Sequence, residues 1–432
     1  MSDENSFSLK ELLLNDYNGQ QDGDGVSGNR LAERLDAISK IGLTEDNGSN
    51  RPGFSHEEKQ AKDLVAKWME EAGLEVRHDG AGNVFGRLAG KQNDAKAIMS
   101  GSHVDSVPNG GHFDGVLGVL SALEVVEAWK ETGYQPEKPF EVVIFSDEEG
   151  ARFNGGLHGS EGMMGTGDIN EKLELTDTNG LRFAEVLEDV GLSVEGYKAS
   201  KRNLDELEMF VEVHIEQGKR LEKENLPCGI VTGIAGPSWI EFTFSGEAGH
   251  AGNTPMNDRN DALVAASEFI FETEKIPSQV SDSAVATIGK LHVKPNGVNV
   301  IPGEVKLYVD IRDIYLDSRD EVVNRVLALG DDIAKKHNID VDHFVKMRVS
   351  PVPIAEETQQ LLEKSFQDKG MSAYKLPSGA GHDAQIVGGK LPIAMLFTKS
   401  KDGLSHNPEE WSDLADCVQT VHVLKRFLEN AQ

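Results

Sequence analysis

The order of helical and strand patterns along the chain changes twice, and these changes limit the fold more than any other feature of the sequence. Between about Gly28 and Gly218, segments with helical spacing of apolar residues alternate with short apolar runs such as AIMSGSH (97–103) and EVVIFSD (141–147). Alternating helices and strands are typical of βαβ units, so this part predicts an α/β domain with a parallel or mixed sheet. The same alternation returns over 349–432.

The middle of the chain has a different pattern. SWIEFTFSG and VKLYVDIRD alternate apolar and polar residues with a period of two, which is typical of antiparallel strands with one buried face. Two helical segments accompany them. We therefore expect a small α+β domain over 230–348, inserted into an α/β domain that is formed by 27–229 and 349–432.

Composition excludes several classes of partner. The chain has 432 residues and a formal net charge of −30, which disfavours binding to nucleic acid and to anionic membranes. No apolar run approaches the roughly 18 residues that a membrane span needs. Residues 1–26 are acidic and polar and lack the features of a secretory signal, so we expect a flexible N-terminal arm on a cytoplasmic protein. Cys228 and Cys417 lie outside any CxxC motif, which agrees with reduced thiols.

Acidic and histidine side chains follow the predicted strands at the points where the strands end. Asp147, Glu148 and Glu149 come directly after the apolar run of one strand, and adjacent carboxylates repel one another unless a cation neutralises them. His103 and His214 lie at the ends of two other predicted strands. Because the carboxyl ends of parallel strands meet at one edge of a sheet, we expect these side chains to lie close together.

Two further residues complete a set of metal ligands. Asp114 begins a predicted helix in GGHFDGVLG, and His406 lies in the loop after the predicted strand LPIAMLFTK. Imidazole and carboxylate groups suit borderline metals such as Zn²⁺, and a carboxylate shared by two ions makes a two-metal hydrolytic site. In the sequence HVD, Asp105 is placed to accept a hydrogen bond from the ring of His103 and to fix its orientation.

Each of these residues also has an ordinary structural explanation. A histidine at a strand end can be a hydrogen-bonded core residue, and a pair of glutamates is usually solvated. An aspartate before glycine at a helix start is usually an N-cap. A metal centre is favoured because all of these explanations would have to hold at once.

The motifs that contain these residues resemble those of the M20 metallopeptidase superfamily, specifically its amidase/hydantoinase/carbamoylase branch. The resemblance covers the chain from about Gly28 onward. It rests on the segments GSHVDSVPNGGHFDG, FSDEEGARF, HIEQG, GEAGHAGNTPMNDRND, NVIPGEV with DIRD, SGAGHDA and GLSHNPEE. HIEQG discriminates between branches, because the peptidase branches generally have a carboxylate where this chain has His214.

The resemblance implies a pair of divalent metal ions. One ion would be held by His103, Asp114 and His214. The other would be held by Asp114, Glu149 and His406, so that Asp114 bridges the pair. Zn²⁺ is the first expectation, and Mn²⁺, Co²⁺ or Ni²⁺ are alternatives that suit the same ligands.

The resemblance also implies roles in catalysis and binding. Glu148 would be the general base. The resemblance gives Asp147 no role, and we expect it to support the structure. The inserted domain would be the dimerisation lid of a homodimer, in which His250 stabilises the oxyanion from the partner subunit. Three residues would bind the substrate: Gln217, Asn299 and Arg312. An arginine is suited to gripping a carboxylate, because its fork binds bidentately.

Together these features predict a hydrolase of linear, non-peptide C–N bonds. The expected substrate is an N-carbamoyl-L-amino acid, and the expected products are the amino acid, ammonia and carbon dioxide. Allantoate is the alternative substrate, because it offers the same carboxylate and ureido groups. An aminopeptidase or dipeptidase fits His214 less well, and a non-catalytic binding protein would be expected to lack a ligand or the base.

Overall fold

The computed structural model describes residues 7–432, which divide into two compact units. The larger unit contains the residues up to Thr232 together with Ile354–Leu376 and His382–Gln432. The inserted unit contains Gly233–Pro353 and Pro377–Gly381.

The strands are, in chain order, β1 Glu75–His78, β2 Val84–Leu88, β3 Ala97–His103, β4 Phe140–Phe145, β5 Leu207–Ile215, β6 Cys228–Ile234, β7 Ser238–Ser245, β8 Gly249–His250, β9 Val285–Lys294, β10 Val300–Ile301, β11 Glu304–Arg312, β12 Asp340–Arg348, β13 Val352–Pro353, β14 Lys375–Ser378 and β15 Ile393–Thr398. The α-helices are α1 Leu9–Asn15, α2 Gly28–Ser39, α3 His56–Ala72, α4 Val116–Thr132, α5 His158–Met164, α6 Ile169–Leu173, α7 Phe183–Asp189, α8 Val194–Ala199, α9 Arg220–Glu224, α10 Ala262–Thr273, α11 Leu316–His337, α12 Glu356–Asp368, α13 Asp383–Gly388 and α14 Leu414–Asn430. None of the helices within residues 7–432 is long and apolar enough to cross a membrane.

The larger unit is built on a mixed sheet. Its strand order is β1-β2-β4-β3-β5-β15-β6, and β14 also pairs with β6. The strands β4, β3, β5 and β15 run parallel to one another, whereas β1, β2 and β6 pair antiparallel. The predicted mixed sheet of an α/β protein is therefore confirmed. Because β6 belongs to this sheet and pairs Ile230 with Leu396, the inserted unit starts at Gly233 rather than at position 230.

The helices of the larger unit form where the sequence provides caps and apolar faces. Ser55 precedes α3, and its hydroxyl accepts a hydrogen bond from the backbone N–H of Glu58. Gly73 ends α3 in the left-handed region with a φ of 97°, which glycine adopts without a steric cost. The helix α4 is apolar on almost every side, because it packs between β3 and α14 in the core.

The prediction of a flexible arm over 1–26 is wrong for the described residues 7–26, and residues 1–6 lie outside the described part of the chain. The helix α1 begins after Ser8, whose hydroxyl accepts a hydrogen bond from the N–H of Glu11. Leu9 and Leu13 are buried in the same apolar cluster as the residues of α2 and α4. Two leucines at helical spacing anchor a segment whose composition is polar.

Replacing Leu13 by alanine is expected to lower the free energy of unfolding by about 2–4 kcal/mol, because it leaves a cavity in the core. Leu12 is the matched control: it is 52% exposed, whereas Leu13 is 3% exposed. Leu12→Ala is expected to change stability by less than about 0.5 kcal/mol. Urea unfolding of both variants measures the difference, and equal losses would contradict the packing of α1 against the core.

The inserted unit has its own sheet and its own core. Its main sheet has the order β12-β7-β11-β9 with antiparallel pairing throughout. The helices α10 and α11 cover one face, where the inward residues of β7 and β11 form an apolar cluster. The short strands β8 and β10 form a separate two-stranded ribbon.

Candidate metal centre

The parallel strands of the larger unit bring four predicted site residues to one edge of the sheet. His103 is the last residue of β3, and His214 lies next to the last residue of β5. Glu149 follows β4, and the loop after β15 carries His406. Residues that are far apart in sequence therefore meet at the carboxyl ends of neighbouring strands.

The first group of potential metal ligands is His103, Asp114 and His214. Asp114 Oδ1 lies 3.0 Å from His214 Nε2 and 3.5 Å from His103 Nε2. All three side chains are buried, and their ligand atoms lie within 4.8 Å of one another. These distances leave room for one cation between the three side chains.

The second group of potential metal ligands is Asp114, Glu149 and His406. His406 Nε2 lies 3.1 Å from Glu149 Oε2 and 3.5 Å from Asp114 Oδ2. His406 is exposed at the mouth of this group, whereas Asp114 is buried. Asp114 therefore belongs to both groups and offers one oxygen to each.

The ring nitrogens of the buried histidines show that these residues fit a cation. Among the described residues, none forms a hydrogen bond with the buried atom His103 Nε2. The other ring nitrogen of His103 lies 3.1 Å from the carbonyl oxygen of Asp105, and His214 Nδ1 lies 3.0 Å from the carbonyl oxygen of Ile215. Because a carbonyl only accepts, each neutral ring carries its proton on Nδ1 and keeps the lone pair of Nε2 for a metal.

The charges around the two groups also favour bound cations. Burial alone would lower the pKa of His103, but neighbouring carboxylates, led by Glu148, raise it well above its usual range. Hydrogen bonds to Asp114 and Glu149 raise the pKa of His406 to about 11. The excess of carboxylates thus stabilises positive charge here, which a divalent ion supplies directly. The residues present therefore fit divalent metal binding.

Glu148 lies beside the first ligand group. Its Oε2 atom is 3.7 Å from His103 Nε2. Burial, followed by the negative charges of Asp383 and Glu149, raises the pKa of Glu148 well above its usual range. A carboxylate with a raised pKa is a stronger base, which agrees with a role in proton transfer.

The carboxylate of Asp105 contacts more than the ring of His103. Asp105 Oδ1 lies 3.3 Å from His103 Nδ1, as the sequence predicted, although the carbonyl oxygen of Asp105 is closer. The same carboxylate accepts hydrogen bonds from the backbone N–H groups of Glu148 and Glu149, both at 3.1 Å. Asp105 therefore fixes the backbone of two neighbouring acids as well as one imidazole.

Asp147 stabilises the turn that leads into Glu148 and Glu149. Its φ is 51°, in the left-handed region that a non-glycine residue rarely occupies. Its N–H donates to Glu58 Oε1 at 3.2 Å, and its Oδ2 atom lies 2.6 Å from His158 Nδ1. These contacts agree with the predicted supporting role of Asp147. They also give His158, to which the motifs assigned no role, a structural one.

The predicted substrate-binding residues lie in both units. In the larger unit, Gln217 Nε2 donates to Asp114 Oδ2 at 2.9 Å. In the inserted unit, the N–H of Ala251 donates to the carbonyl oxygen of Asn299 at 3.0 Å, so His250 and Asn299 are neighbours on the β8–β10 ribbon.

Arg312 ends β11 in the inserted unit and is already oriented by hydrogen bonds. Its Nε and Nη2 atoms donate to the carboxylate of Asp310 at 3.1 and 2.8 Å. Its Nη1 atom donates to the carbonyl oxygen of Gly379 at 2.8 Å. A guanidinium carries five N–H groups, so one N–H on each terminal nitrogen remains for a ligand.

The sequence patterns missed three buried titratable residues at this edge. The ring of His382 lies 4.5 Å from the ring of His214, and burial lowers the pKa of His382 well below its usual range. Asp383 begins α13 close behind it, and Glu410 follows the loop of His406. The motifs SGAGHDA and GLSHNPEE contain these residues, but neither periodicity nor a strand end distinguishes them.

Comparison with known proteins agrees with the site. A family model described as Peptidase family M20/M25/M40 matches residues 99–430. The chain is 43% identical to the N-carbamoyl-L-amino acid amidohydrolase of Geobacillus stearothermophilus, over 92% of this chain and 97% of the relative. It is 36% identical to the allantoate amidohydrolase of Bacillus subtilis (strain 168), over 93% of this chain and 97% of the relative.

Solved structures give the same answer. An amidase of the hydantoinase/carbamoylase family from Burkholderia multivorans is 34% identical and has a TM-score of 0.88, over 94% of this chain and 97% of that chain. The resemblance seen in the motifs is therefore confirmed. The chain belongs to peptidase family M20/M25/M40, in its hydantoinase/carbamoylase branch.

Proposed function

We propose that the protein is a two-metal amidohydrolase that cleaves the ureido C–N bond of N-carbamoyl-L-amino acids. The observation that carries this proposal is the pair of ligand groups joined at Asp114, with the carboxylate of Glu148 beside them. Water would add to the ureido carbonyl, and the products would be the amino acid, ammonia and carbon dioxide. The 43% identity to the Geobacillus stearothermophilus enzyme supports this substrate class.

The two ions would be Zn²⁺, or Mn²⁺, Co²⁺ or Ni²⁺. His103, Asp114 and His214 would hold one ion, and Asp114, Glu149 and His406 would hold the other. Such ions polarise a carbonyl and lower the pKa of water towards neutrality.

The side chains of the chain would supply the proton transfers and the orientation. Glu148 would take the proton of the attacking water and deliver it to the leaving nitrogen. His250 would donate to the oxygen that becomes negative in the transition state. Asn299 and Arg312 would hold the carboxylate of the substrate. Gln217 would contact the substrate beside Asp114, the residue that both metal groups share.

Arginine at position 312 is expected to matter for its shape as well as its charge. Arg312→Lys keeps the charge but loses the two parallel donors, so kcat/KM is expected to fall by about ten- to a hundredfold, mostly through KM. Arg325→Lys is the matched control, since Arg325 forms an exposed surface pair with Glu321. Steady-state kinetics on one N-carbamoyl-L-amino acid measures both, and equal effects would remove Arg312 from the binding site.

Allantoate is the alternative substrate, favoured by the 36% identity to the Bacillus subtilis relative. Metal-loaded protein should be assayed in parallel on N-carbamoyl-L-amino acids, their D-isomers, allantoate and dipeptides. Ammonia release from the L-carbamoyl series alone supports the proposal. Release from allantoate alone keeps the chemistry and changes the substrate. Cleavage of dipeptides, scored by free amine, or silence on every panel would overturn it.

We also propose that two copies associate through the inserted unit. The helix α10 carries outward apolar side chains, including Phe271, which is 62% exposed, and it lies beside the edge strand β9. An exposed apolar helix face next to a sheet edge is typical of an interface. Phe271→Glu is expected to give monomers in light scattering, whereas Leu12→Glu, at an exposed position of the larger unit, should not. Dimeric Phe271→Glu protein would contradict this interface.

The location of the activity is proposed to be cytoplasmic. Cys228 and Cys417 are both buried free thiols, which agrees with a reducing compartment.

A further inference from the structure

Glu410 is a buried carboxylate that contacts the shared ligand of the two metal groups. Its Oε1 atom accepts hydrogen bonds from the backbone N–H groups of Phe113 at 2.9 Å and Asp114 at 3.1 Å. Its Oε2 atom lies 2.8 Å from Ser405 Oγ, which is itself 2.9 Å from Asp114 Oδ2. One side chain thus holds the backbone of Asp114 and, through Ser405, one of its carboxylate oxygens.

Glu410 also belongs to the loop that carries His406. His406 has a φ of 54°, and the N–H of Glu410 donates to the carbonyl oxygen of Asn407 at 3.0 Å. The ring of Trp411 packs edge-on against Phe113, with centroids 5.7 Å apart. The contacts of Glu410 therefore tie the loop of His406 to the segment that leads into α4.

Gly111 gives independent evidence that the position of Glu410 is built into the fold. A Cβ atom at position 111 would lie 2.0 Å from Glu410 Oε1. No side chain fits at that distance, so the chain needs glycine here for Glu410 to reach the backbone of Phe113 and Asp114. The second glycine of GGHFDG therefore has a packing reason that the metal ligands alone do not provide.

The contact of Glu410 through Ser405 reaches the second ligand group (Asp114, Glu149 and His406) and not the two histidines of the first. Asp114 Oδ1 faces His103 and His214, whereas Asp114 Oδ2 faces His406. Ser405 contacts Oδ2. A change at Glu410 would thus affect Asp114 Oδ2 and the loop of His406 most, whereas two of the three ligands of the first group, His103 and His214, are held by strands β3 and β5.

We propose that Glu410 is a positioning residue that sets the affinity of the Asp114–Glu149–His406 group for its metal ion. It acts through Asp114 and the His406 loop and touches neither ion nor substrate. This inference rests on the proposed pair of metal ions. Residues that orient metal ligands in this way typically change metal affinity by about ten- to a hundredfold when they are replaced.

Metal binding without catalysis is the direct test. Metal-free wild type, Glu410→Ala, His214→Ala and His406→Ala would be titrated with Zn²⁺ in a calorimeter, with bound metal counted after dialysis. The two histidine variants show which affinity belongs to which group. His406→Ala identifies the affinity of the second group. Glu410→Ala is expected to weaken that affinity by about ten- to a hundredfold, and to weaken the affinity of the first group clearly less.

Two further variants separate positioning from general damage. Glu409→Ala is the matched control, because Glu409 is the exposed neighbour of Glu410, and it should bind both ions as wild type does. Glu410→Gln should restore most of the affinity, since its amide oxygen accepts from the two N–H groups and its NH₂ group donates to Ser405. If Glu410→Ala does not fold, Ser405→Ala should show the same selective loss.

Several results would overturn the inference. Equal weakening of both affinities, unchanged affinities, or the same loss in Glu409→Ala would each do so. A wild type that binds a single ion would overturn this inference together with the proposed metal pair. If the wild type binds two ions and Glu410→Ala binds both with unchanged affinity, the inference alone is overturned.

Discussion

Replacing Glu148 by glutamine is expected to lower kcat by about a hundred- to ten-thousandfold while both metal ions stay bound. Glutamine has the shape of glutamate but can neither take the proton of the attacking water nor return one to the leaving nitrogen. The backbone of residue 148 is held by Asp105 in either case, because that contact uses the N–H group. The loss should therefore appear in kcat, with little change in metal content or KM.

Glu149→Gln is the matched control, because the two acids are adjacent in sequence and have opposite expected readouts. Glu149 lies 3.1 Å from His406 and belongs to a ligand group, so its replacement should reduce the number of bound ions. Metal analysis and stopped or continuous ammonia assays on both variants distinguish the roles. A Glu148→Gln protein that keeps both ions and turns over at the wild-type rate would remove Glu148 from the chemistry.

Replacing Asp114 by asparagine is expected to have the largest effect on metal binding, because both ligand groups share this side chain. Asparagine is neutral and offers one oxygen in place of two, so neither group keeps its charge or its geometry. Zn²⁺ at a thousand times its dissociation constant stabilises a folded protein by about 4 kcal/mol for each site. Added Zn²⁺ should therefore raise the unfolding temperature of the wild type and leave that of Asp114→Asn nearly unchanged.

His406→Ala is the intermediate case, because His406 belongs to the second group only. Its unfolding temperature should still rise with Zn²⁺, though by less than in the wild type. Thermal unfolding in the presence and absence of a chelator measures all three proteins. A full response in Asp114→Asn would mean that the ions bind elsewhere.

Much of the metal centre can be predicted from the sequence, because the sequence predicts where the buried strands end. The apolar runs of β3, β4 and β5 predict buried parallel strands, and the residues at or just after their ends, such as His103 and Glu149, must then share an edge. Asp105 contributes more than its HVD motif indicates. Its contacts with the backbone of residues 148 and 149 depend on the spacing between two strands, which no local pattern records.

Loop residues and short elements leave weaker signals in the sequence than buried strands do. Glu410 lies in a loop without periodicity, and its partners are the distant backbone groups of Phe113 and Asp114. The helix α1 is short, and its two buried leucines are outnumbered by polar neighbours, so its composition is that of a solvated segment. Periodicity reports burial over several turns, and a single buried contact is too small to change it.

The split of the larger unit has a consequence for the order in which the protein can form during synthesis. The neighbouring strands β5 and β15 are separated along the chain by the whole inserted unit, which has its own apolar core. A chain that emerges from the ribosome therefore presents the insertion before it can complete its host sheet. His406 follows β15 in the chain, so the nascent protein has its full set of metal ligands only after the insertion and β15 have both been synthesised.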